Sequence, residues 1–542
     1  MGRHLGDSET PVRVAQRWLD AEPDEDVRDE LRSLIDGDPD ELATRFTGGL
    51  TFGTAGLRAA VGAGPLRMNR LVVRQAAAGL VDHLLRTVPD AAERGLIIGY
   101  DARHKSDDFA MDTARVAVAR GMRAMLLPRP LPTPVLAWNI TMVGAAAGVM
   151  VTASHNPPAD NGYKVYLGSG AQIVPPHDDL IAAAIAAVDP CSVPLSDPDH
   201  PRIAVLDESV VDRYVDFTSS VRLRPGVSAV RVAYTALHGV GGDTVLRAFA
   251  AAGLPEPIVV AEQQRPDGSF PTVAFPNPEE PGAMDRVLSL AGSVDADVAI
   301  ANDPDADRLG VAVPTPDGDW RRLTGDEIGW LLADHILRHS VGDDRMVVTT
   351  LVSSSLLSKM AETHGVSCVE TFTGFKWIAD AALRHPDRRL VFGYEQALGY
   401  LVASTPLDKD GITAAVMMAE LVADLKSAGS DPTRRLDEIA EAHGRHVTSE
   451  TSVGRPPAAG RAAVAALRDS PPTSIGGLPV VAVVDYPEAG LLRLWLLEEG
   501  GRGVRIQVRP SGTEPKVKIY GEAVERGADE LARLVSEVAT LI

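Results

Sequence analysis

The chain alternates two rhythms of apolar positions. Short apolar runs bounded by Gly, Pro, Asp or Asn predict buried strands at Gly95–Tyr100, Ala124–Leu127, Val149–Val151, Val230–Ala233, Val298–Ala301, Leu309–Val313, Met346–Thr349 and Leu390–Phe392. Longer segments predict helices over Val72–Thr87, Asp107–Arg120, Ser209–Val221, Ile328–Leu337, Leu356–His364 and Ile412–Leu425. Strands and helices taking turns in this way build an α/β fold with mixed, mostly parallel sheets. Ahead of them, Val12, Val14, Trp18, Leu31, Leu34 and Ile35 recur at helical spacing among acidic residues, so Pro11–Thr44 reads as a helical lead-in. Pro128–Pro134 and Val188–Pro201 read as loops, and Ser427–Pro432 and Val453–Ala459 as linkers. The last segment has the order strand, strand, loop, strand, helix and predicts a smaller α+β domain. The divisions expected are 1–48 for a lead-in packed on the first domain, then 49–208, 209–322, 323–446 and 447–542.

With 542 residues the chain has room for several cores, and 45% apolar content with few aromatics fits soluble α/β layers. The 74 acidic against 53 basic residues, a formal charge of -21, oppose nucleic acid and anionic membranes as partners. A small phosphorylated ligand is still allowed, since local basic loops act within a Debye length. Cys191 and Cys368 lie far apart without His-rich neighbours, which predicts neither a disulfide framework nor a zinc site and fits a reducing compartment. The opening MGRHLGDSET has no apolar signal core and no segment is long enough to span a membrane, so the expected location is the cytoplasm.

Chemistry gathers where apolar runs break. Val149–Val151 stops at Thr152-Ala153-Ser154-His155-Asn156-Pro157, setting a hydroxyl beyond a strand's carboxyl end, where open α/β sheets bind ligands. Asp303-Pro304-Asp305-Ala306-Asp307-Arg308 places three carboxylates at alternate positions between two strands, a pattern that can converge on one hard cation such as Mg²⁺. An EF-hand is excluded, because its sixth position holds Arg308 and its twelfth Pro314. Arg509 to Lys516 packs Arg, two hydroxyls, a Gly and a Lys into one loop, an anion cradle. Leu50 to Arg58 is a glycine-spaced loop ending in a phosphate-type donor, Lys164 follows near the serine turn, and His238 lies in a loop suited to a helix N-terminus. A nucleophile, a cation loop and an anion cradle together indicate phosphoryl transfer, while the absence of a P-loop and of a dinucleotide fingerprint leaves ATP and NAD unsupported.

On these motifs, taken in order from Phe52-Gly53-Thr54-Ala55-Gly56-Leu57-Arg58 to Arg509-Pro510-Ser511-Gly512-Thr513, the sequence resembles the α-D-phosphohexomutase family, the phosphoglucomutases and phosphomannomutases. The resemblance implies four domains around a central cleft: three similar α/β units and a C-terminal unit of TATA-binding-protein-like shape. It implies Ser154 carried as phosphoserine, with Mg²⁺ held by that phosphate and by Asp303, Asp305 and Asp307. Arg58, His155, Lys164 and Arg308 surround the reacting phosphate in this reading, with Lys164 a candidate proton carrier. Gly374, Lys376, Glu395 and Ala397 face the sugar, and Arg509, Ser511, Gly512, Thr513 and Lys516 hold the other phosphate. The implied reaction interconverts sugar 1-phosphate and sugar 6-phosphate through a sugar 1,6-bisphosphate, which also serves as activator, in a monomer or dimer. The sugar loop Glu395-Gln396-Ala397-Leu398-Gly399 is closest to a branch reading Glu-Glu-Ala-Ile/Leu-Gly that includes phosphoglucomutases and phosphopentomutases. Glucose is therefore the expected sugar, with mannose and pentose phosphates next. Lys105 and Ala236 are lesser departures from the family pattern. Rival readings from other classes are a non-catalytic phosphosugar-binding protein and a serine-dependent phosphatase.

Overall fold

The computed structural model describes residues 10–53, 56–497, 503–511 and 515–542. Three of its four sheets repeat one arrangement. In the first, Ala124–Leu126, Leu96–Tyr100 and Ala147–Val151 lie parallel, and Asp160–Leu167 folds back antiparallel beside the third. The second repeats this with Ile258–Val259, Val232–Thr235, Val298–Ala301 and the returning Gly310–Pro314. The third uses Ser367–Thr371, Arg345–Thr350, Arg389–Glu395 and the returning Gly399–Leu401. Helices cover both faces of such sheets, so the central strands are continuously apolar; Ala147–Val151 and Val298–Ala301 are buried at every position. Each return turn holds a non-glycine residue in the left-handed region: Ser154 at φ 52°, Ala306 at 55° and Leu398 at 59°. Such a conformation persists only where the surroundings enforce it.

The lead-in consists of helices Pro11–Ala21, Glu25–Asp36 and Pro39–Phe46. Val14, Trp18, Leu31, Leu42 and Phe46 share one buried cluster with Leu71, Ile98 and Phe109 of the first sheet and its helices, whereas Val12 is exposed. Lys105 has a local use here, since its ammonium reaches Asp26 at 2.9 Å and Asp24 at 3.1 Å.

Two proline-rich stretches differ from expectation. Pro128–Pro134 runs into a buried helix, Thr133–Met142, and the supposed linker ending at Pro432 opens the helix Pro432–His443, capped by Asp431. In both, proline sits in the first turn, where no backbone N–H is needed. The stretch 453–459 is likewise shared between the end of strand His446–Gly454 and the start of helix Pro457–Asp469.

The fourth sheet is antiparallel throughout. Leu492, Leu494, Val504, Ile506 and Val508 point to one face and join a core with Leu531, Leu534 and Val535 of the final helix, Ala528–Leu541. The alternate positions are polar yet buried. Arg505 donates to Ser353 O at 2.6 Å and pairs with Glu522 at 2.8 Å, and Arg493 donates to Leu351 O at 2.9 Å. The polar rhythm of these strands therefore marks a seam against the third domain, and the four domains predicted from the pattern are all present.

Candidate active site

The serine turn is held from behind. Ser154 is 3% exposed, and its backbone N–H donates to Thr152 Oγ1 at 2.8 Å. Arg103 reaches across to donate to the carbonyls of Ser154, Asn156, Pro157 and Asp160. Arg103 is itself set by Asp101, which also accepts from Thr152 and Ser106. On the open side Arg58 donates to Asn156 Oδ1 at 3.0 Å. Its strand Leu57–Ala60 pairs Arg58 with Gly162. Gly56 leads into that strand at φ 77°, where a Cβ would lie 1.8 Å from Tyr163 O, so only glycine fits.

The acidic turn of the second domain meets this serine. Ser154 Oγ donates to Asp303 Oδ2 at 2.8 Å, and His155 Nδ1 is 3.4 Å from the same hydroxyl. Lys164 donates to Asp305 at 2.7 Å and to Asp307 at 2.9 Å, and Lys409 stands 3.3 Å from Asp307. Thr133, opening the unexpected helix, donates to Asp305 at 2.6 Å. The Arg308 N–H closes the turn on Asp303 Oδ1 at 3.0 Å, and its guanidinium lies 3.3 Å from Glu279.

Burial and mutual repulsion dominate the electrostatics. Burial, then Asp305 and Asp307, hold the Asp303 carboxyl well above the carboxylate range. Burial also works against charge on Asp305, but Lys164, Thr133 and Lys409 outweigh it and keep that carboxyl below its usual range. Lys164 is held above its ordinary value because Asp305 and Asp307 overcome its burial. Burial, with Arg308 and Arg58 adding to it, pushes His155 well below its ordinary value, so its ring is neutral.

The donor set of the acidic turn fits a hard cation. Asp303, Asp305 and Asp307 are fully buried with carboxylate oxygens within 4.8 Å of one another. Asp305 Oδ1 and Asp307 Oδ1 are buried without hydrogen-bond partners. Buried anionic oxygens left unpaired are costly, and an all-oxygen set suits Mg²⁺.

The third domain supplies the remaining loop residues. Glu395 ends strand Arg389–Glu395, its Oε2 buried without a hydrogen-bond partner, and its charge acts on Arg308, Lys409 and Lys376. Gln396 turns aside, accepting from Ser353 Oγ at 3.0 Å, and Ala397 lies in the turn between the strands. Gly374 caps helix Phe375–Arg384 at φ 114°, placing Lys376 in its first turn. Lys376 is pushed down to about 8 by burial, against Asp178 and Glu395, with Arg509 adding to the depression. Ser511 and Lys516 flank the tip of the cradle, joined by the Ser511 N–H to Lys516 O bond at 2.8 Å, while Gly512 and Thr513 lie outside the described residues. His238 Nε2 lies 2.8 Å from Thr272 Oγ1, and its loop packs on the acidic turn through the Val240 N–H to Pro304 O bond at 2.8 Å.

Arg103, Thr133 and Lys409 were not found in the sequence. A signal existed for two of them: Asp101-x-Arg103 follows a strand's carboxyl end, and Asp408-Lys409-Asp410 interrupts apolar surroundings just before a buried helix.

Known proteins match this arrangement along the chain. Family models described as phosphoglucomutase/phosphomannomutase alpha/beta/alpha domains I, II and III match residues 49–190, 212–318 and 324–446, and the C-terminal domain of the same family matches 497–541. The chain belongs to the phosphoglucomutase/phosphomannomutase family. Among this member's relatives is the "Probable phosphomannomutase" of Haemophilus influenzae, 43% identical, covering 87% of this chain and 96% of its own. The "Probable phosphoribomutase" of Schizosaccharomyces pombe is 36% identical, covering 98% and 96%. A crystal structure of a phosphoglucomutase/phosphomannomutase family protein from Burkholderia thailandensis shares the fold, with TM-score 0.69 at 20% identity over 91% of this chain and 96% of its own.

Proposed function

We propose that this family member is a phosphosugar mutase that passes a phosphoryl group between the 1-position and the terminal hydroxyl of one sugar by way of phosphorylated Ser154. The observation that carries this reading is the 2.8 Å hydrogen bond from the Ser154 hydroxyl to Asp303, which joins turns of two domains. Asp303, Asp305 and Asp307, with the phosphate on Ser154, would hold Mg²⁺, which when bound neutralises charge on the phosphoryl oxygens. In the first half-reaction a sugar hydroxyl forms its bond to phosphorus as the Ser154 Oγ–P bond breaks. One proton moves from the sugar hydroxyl to Ser154 Oγ, and Lys164 and His155 are the groups placed to relay it. Arg58 and Arg308 steady the charge on the group in transit. The resulting bisphosphate turns over in the cleft, and its other phosphate returns to Ser154 by the same steps reversed. Glu395, Ala397, Gly374 and Lys376 take the sugar, and Arg509, Ser511, Gly512, Thr513 and Lys516 the phosphate that is not reacting. A sugar 1,6-bisphosphate that escapes leaves Ser154 bare, and added bisphosphate restores it. The working domains are 49–208, 209–322, 323–446 and 447–542. Intact mass is expected to show phosphate on the wild type and none on Ser154→Ala, with turnover abolished; full activity in that variant refutes the proposal.

Glucose was the sugar expected from the loop, whereas the relatives carry phosphomannomutase and phosphoribomutase names. The reading offered here is tolerance of both hexose and pentose 1-phosphates. Gln396 is engaged by Ser353, so Glu395 is the loop's main acceptor for sugar hydroxyls. Because each of these sugars offers Glu395 a hydroxyl, catalytic efficiencies on glucose, mannose and ribose 1-phosphates should differ by no more than about two hundredfold, the range that pocket shape alone supplies. A preference of about ten thousandfold for one sugar contradicts it. Binding without isomerisation, with Mg²⁺ and bisphosphate present, leaves a phosphosugar-binding protein, and stoichiometric phosphate release a phosphatase.

A further inference from the structure

Among the described residues, a second group of side chains converges closely enough to hold an ion, on the side of the third domain that faces Arg222 and Arg224 of the second. His335 and His339 stand one turn apart on helix Gly325–His339, and Asp424 comes from the facing helix Gly411–Ser427; the three offer ligand atoms within 4.8 Å of one another. His339 Nε2 is buried and has no hydrogen-bond partner, and it lies 3.5 Å from Asp424 Oδ2. That separation is too long for a hydrogen bond, yet it is close to the roughly 3.4 Å edge of a tetrahedron with metal–ligand distances of about 2.1 Å. The other oxygen of Asp424 faces Arg224 at 3.3 Å, which leaves Oδ2 toward the histidine. The His335 ring is buried, and its Nε2 lies 3.1 Å from Glu420 Oε1, a carboxylate also held by Arg222. A carboxylate that fixes an imidazole's orientation is the usual support of a metal-bound histidine.

We propose that His335, His339 and Asp424 form a second metal site for a late first-row divalent ion, Zn²⁺ in particular, separate from the oxygen-only acidic turn. Two imidazoles and one carboxylate match Zn²⁺ or Co²⁺ and not Mg²⁺, which prefers oxygen and keeps its waters. The ion ties the two helices together, and through Arg224 and Arg222 it braces the segment of the second domain that follows helix Ser209–Ser219. Its role is structural.

The test uses the full chain, stripped with a chelator and returned to saturating Mg²⁺ so that the acidic turn is occupied. Calorimetric titration with Zn²⁺ should then show a single equivalent bound, and Co²⁺ should give the visible bands of a four-coordinate ion with nitrogen ligands. His339→Gln and Asp424→Asn should each weaken Zn²⁺ binding about tenfold or more. Both should keep the metal-free melting temperature and the Mg²⁺-supported activity. Asp303→Asn should leave the Zn²⁺ titration unchanged. Absence of Zn²⁺ binding in Mg²⁺, binding unaffected by both substitutions, or binding lost in Asp303→Asn overturns the proposal.

Discussion

Replacing Arg103 by alanine removes the support behind the serine turn without touching a group to which the proposed reaction assigns substrate contact. The side chain is 1% exposed and donates to four backbone carbonyls of the serine turn, with Asp101 3.4 Å from its Nε. A hydrogen bond from a charged donor contributes about 1.5–3 kcal/mol, but bonds sharing one guanidinium do not add. The larger effect falls on Asp101, since removing half of a buried ion pair typically costs about 3–5 kcal/mol. Burial already holds the Asp101 carboxyl above its usual range, so in the variant it takes up a proton, which limits the loss. A destabilisation of about 3–4 kcal/mol is expected at neutral pH, read from the urea transition of the first domain, and it should shrink as pH falls. The turn, released from its left-handed pose, should show faster amide exchange across residues 152–160 and a fall in kcat with KM little changed. Adding Asp101→Asn should cost less than the sum of the separate losses. An Arg103→Ala protein within about 0.5 kcal/mol of wild type and with unaltered kcat refutes the reasoning.

Lys376, pushed down to about 8 mainly by burial, loses its charge as pH rises through that value, so KM for the phosphosugar should climb above pH 8. The same depression means that the unfolded chain binds the extra proton between about pH 8 and 10.4, so the lysine's contribution to stability rises with pH across that window. Lys376→Arg should flatten the KM profile, and an unchanged inflection rules the lysine out. At Gly411 a Cβ would lie 2.3 Å from Arg308 O and 2.7 Å from Asn302 Nδ2, so Gly411→Ala must displace the acidic turn. The expected loss is about 1–3 kcal/mol in thermal denaturation, with more Mg²⁺ needed for half-maximal activity. An unaltered Mg²⁺ titration contradicts that coupling.

The loops that meet at the proposed site stand out in the sequence because each interrupts an apolar strand with residue types that packing does not require. Ser154, the three aspartates and Glu395 all stand at such breaks, and they are found between strands. What periodicity cannot show is pairing. Arg103 looks like a solvated residue of a turn until strand Ala147–Val151 is known to lie beside strand Leu96–Tyr100, bringing residues 152–160 onto it. Thr133 was hidden by its prolines, which resemble a loop and in fact start a helix. Lys409 is distant in sequence from the aspartate it meets. Arg493 and Arg505 keep the alternation of a half-solvated sheet, and only contact with a neighbouring domain shows that their face is covered.

The three return turns, each bearing a left-handed non-glycine residue beside the third parallel strand, are one solution used three times. A scaffold that repeats one strand order three times presents its return turn in the same place each time. Tips on one scaffold can differ by a few residues, here Ser154, the aspartates of 303–307 and Glu395, while the layered strands beneath keep the same arrangement. New substrate ranges in such a protein are therefore best sought by grafting tips between homologues, with the strands left alone.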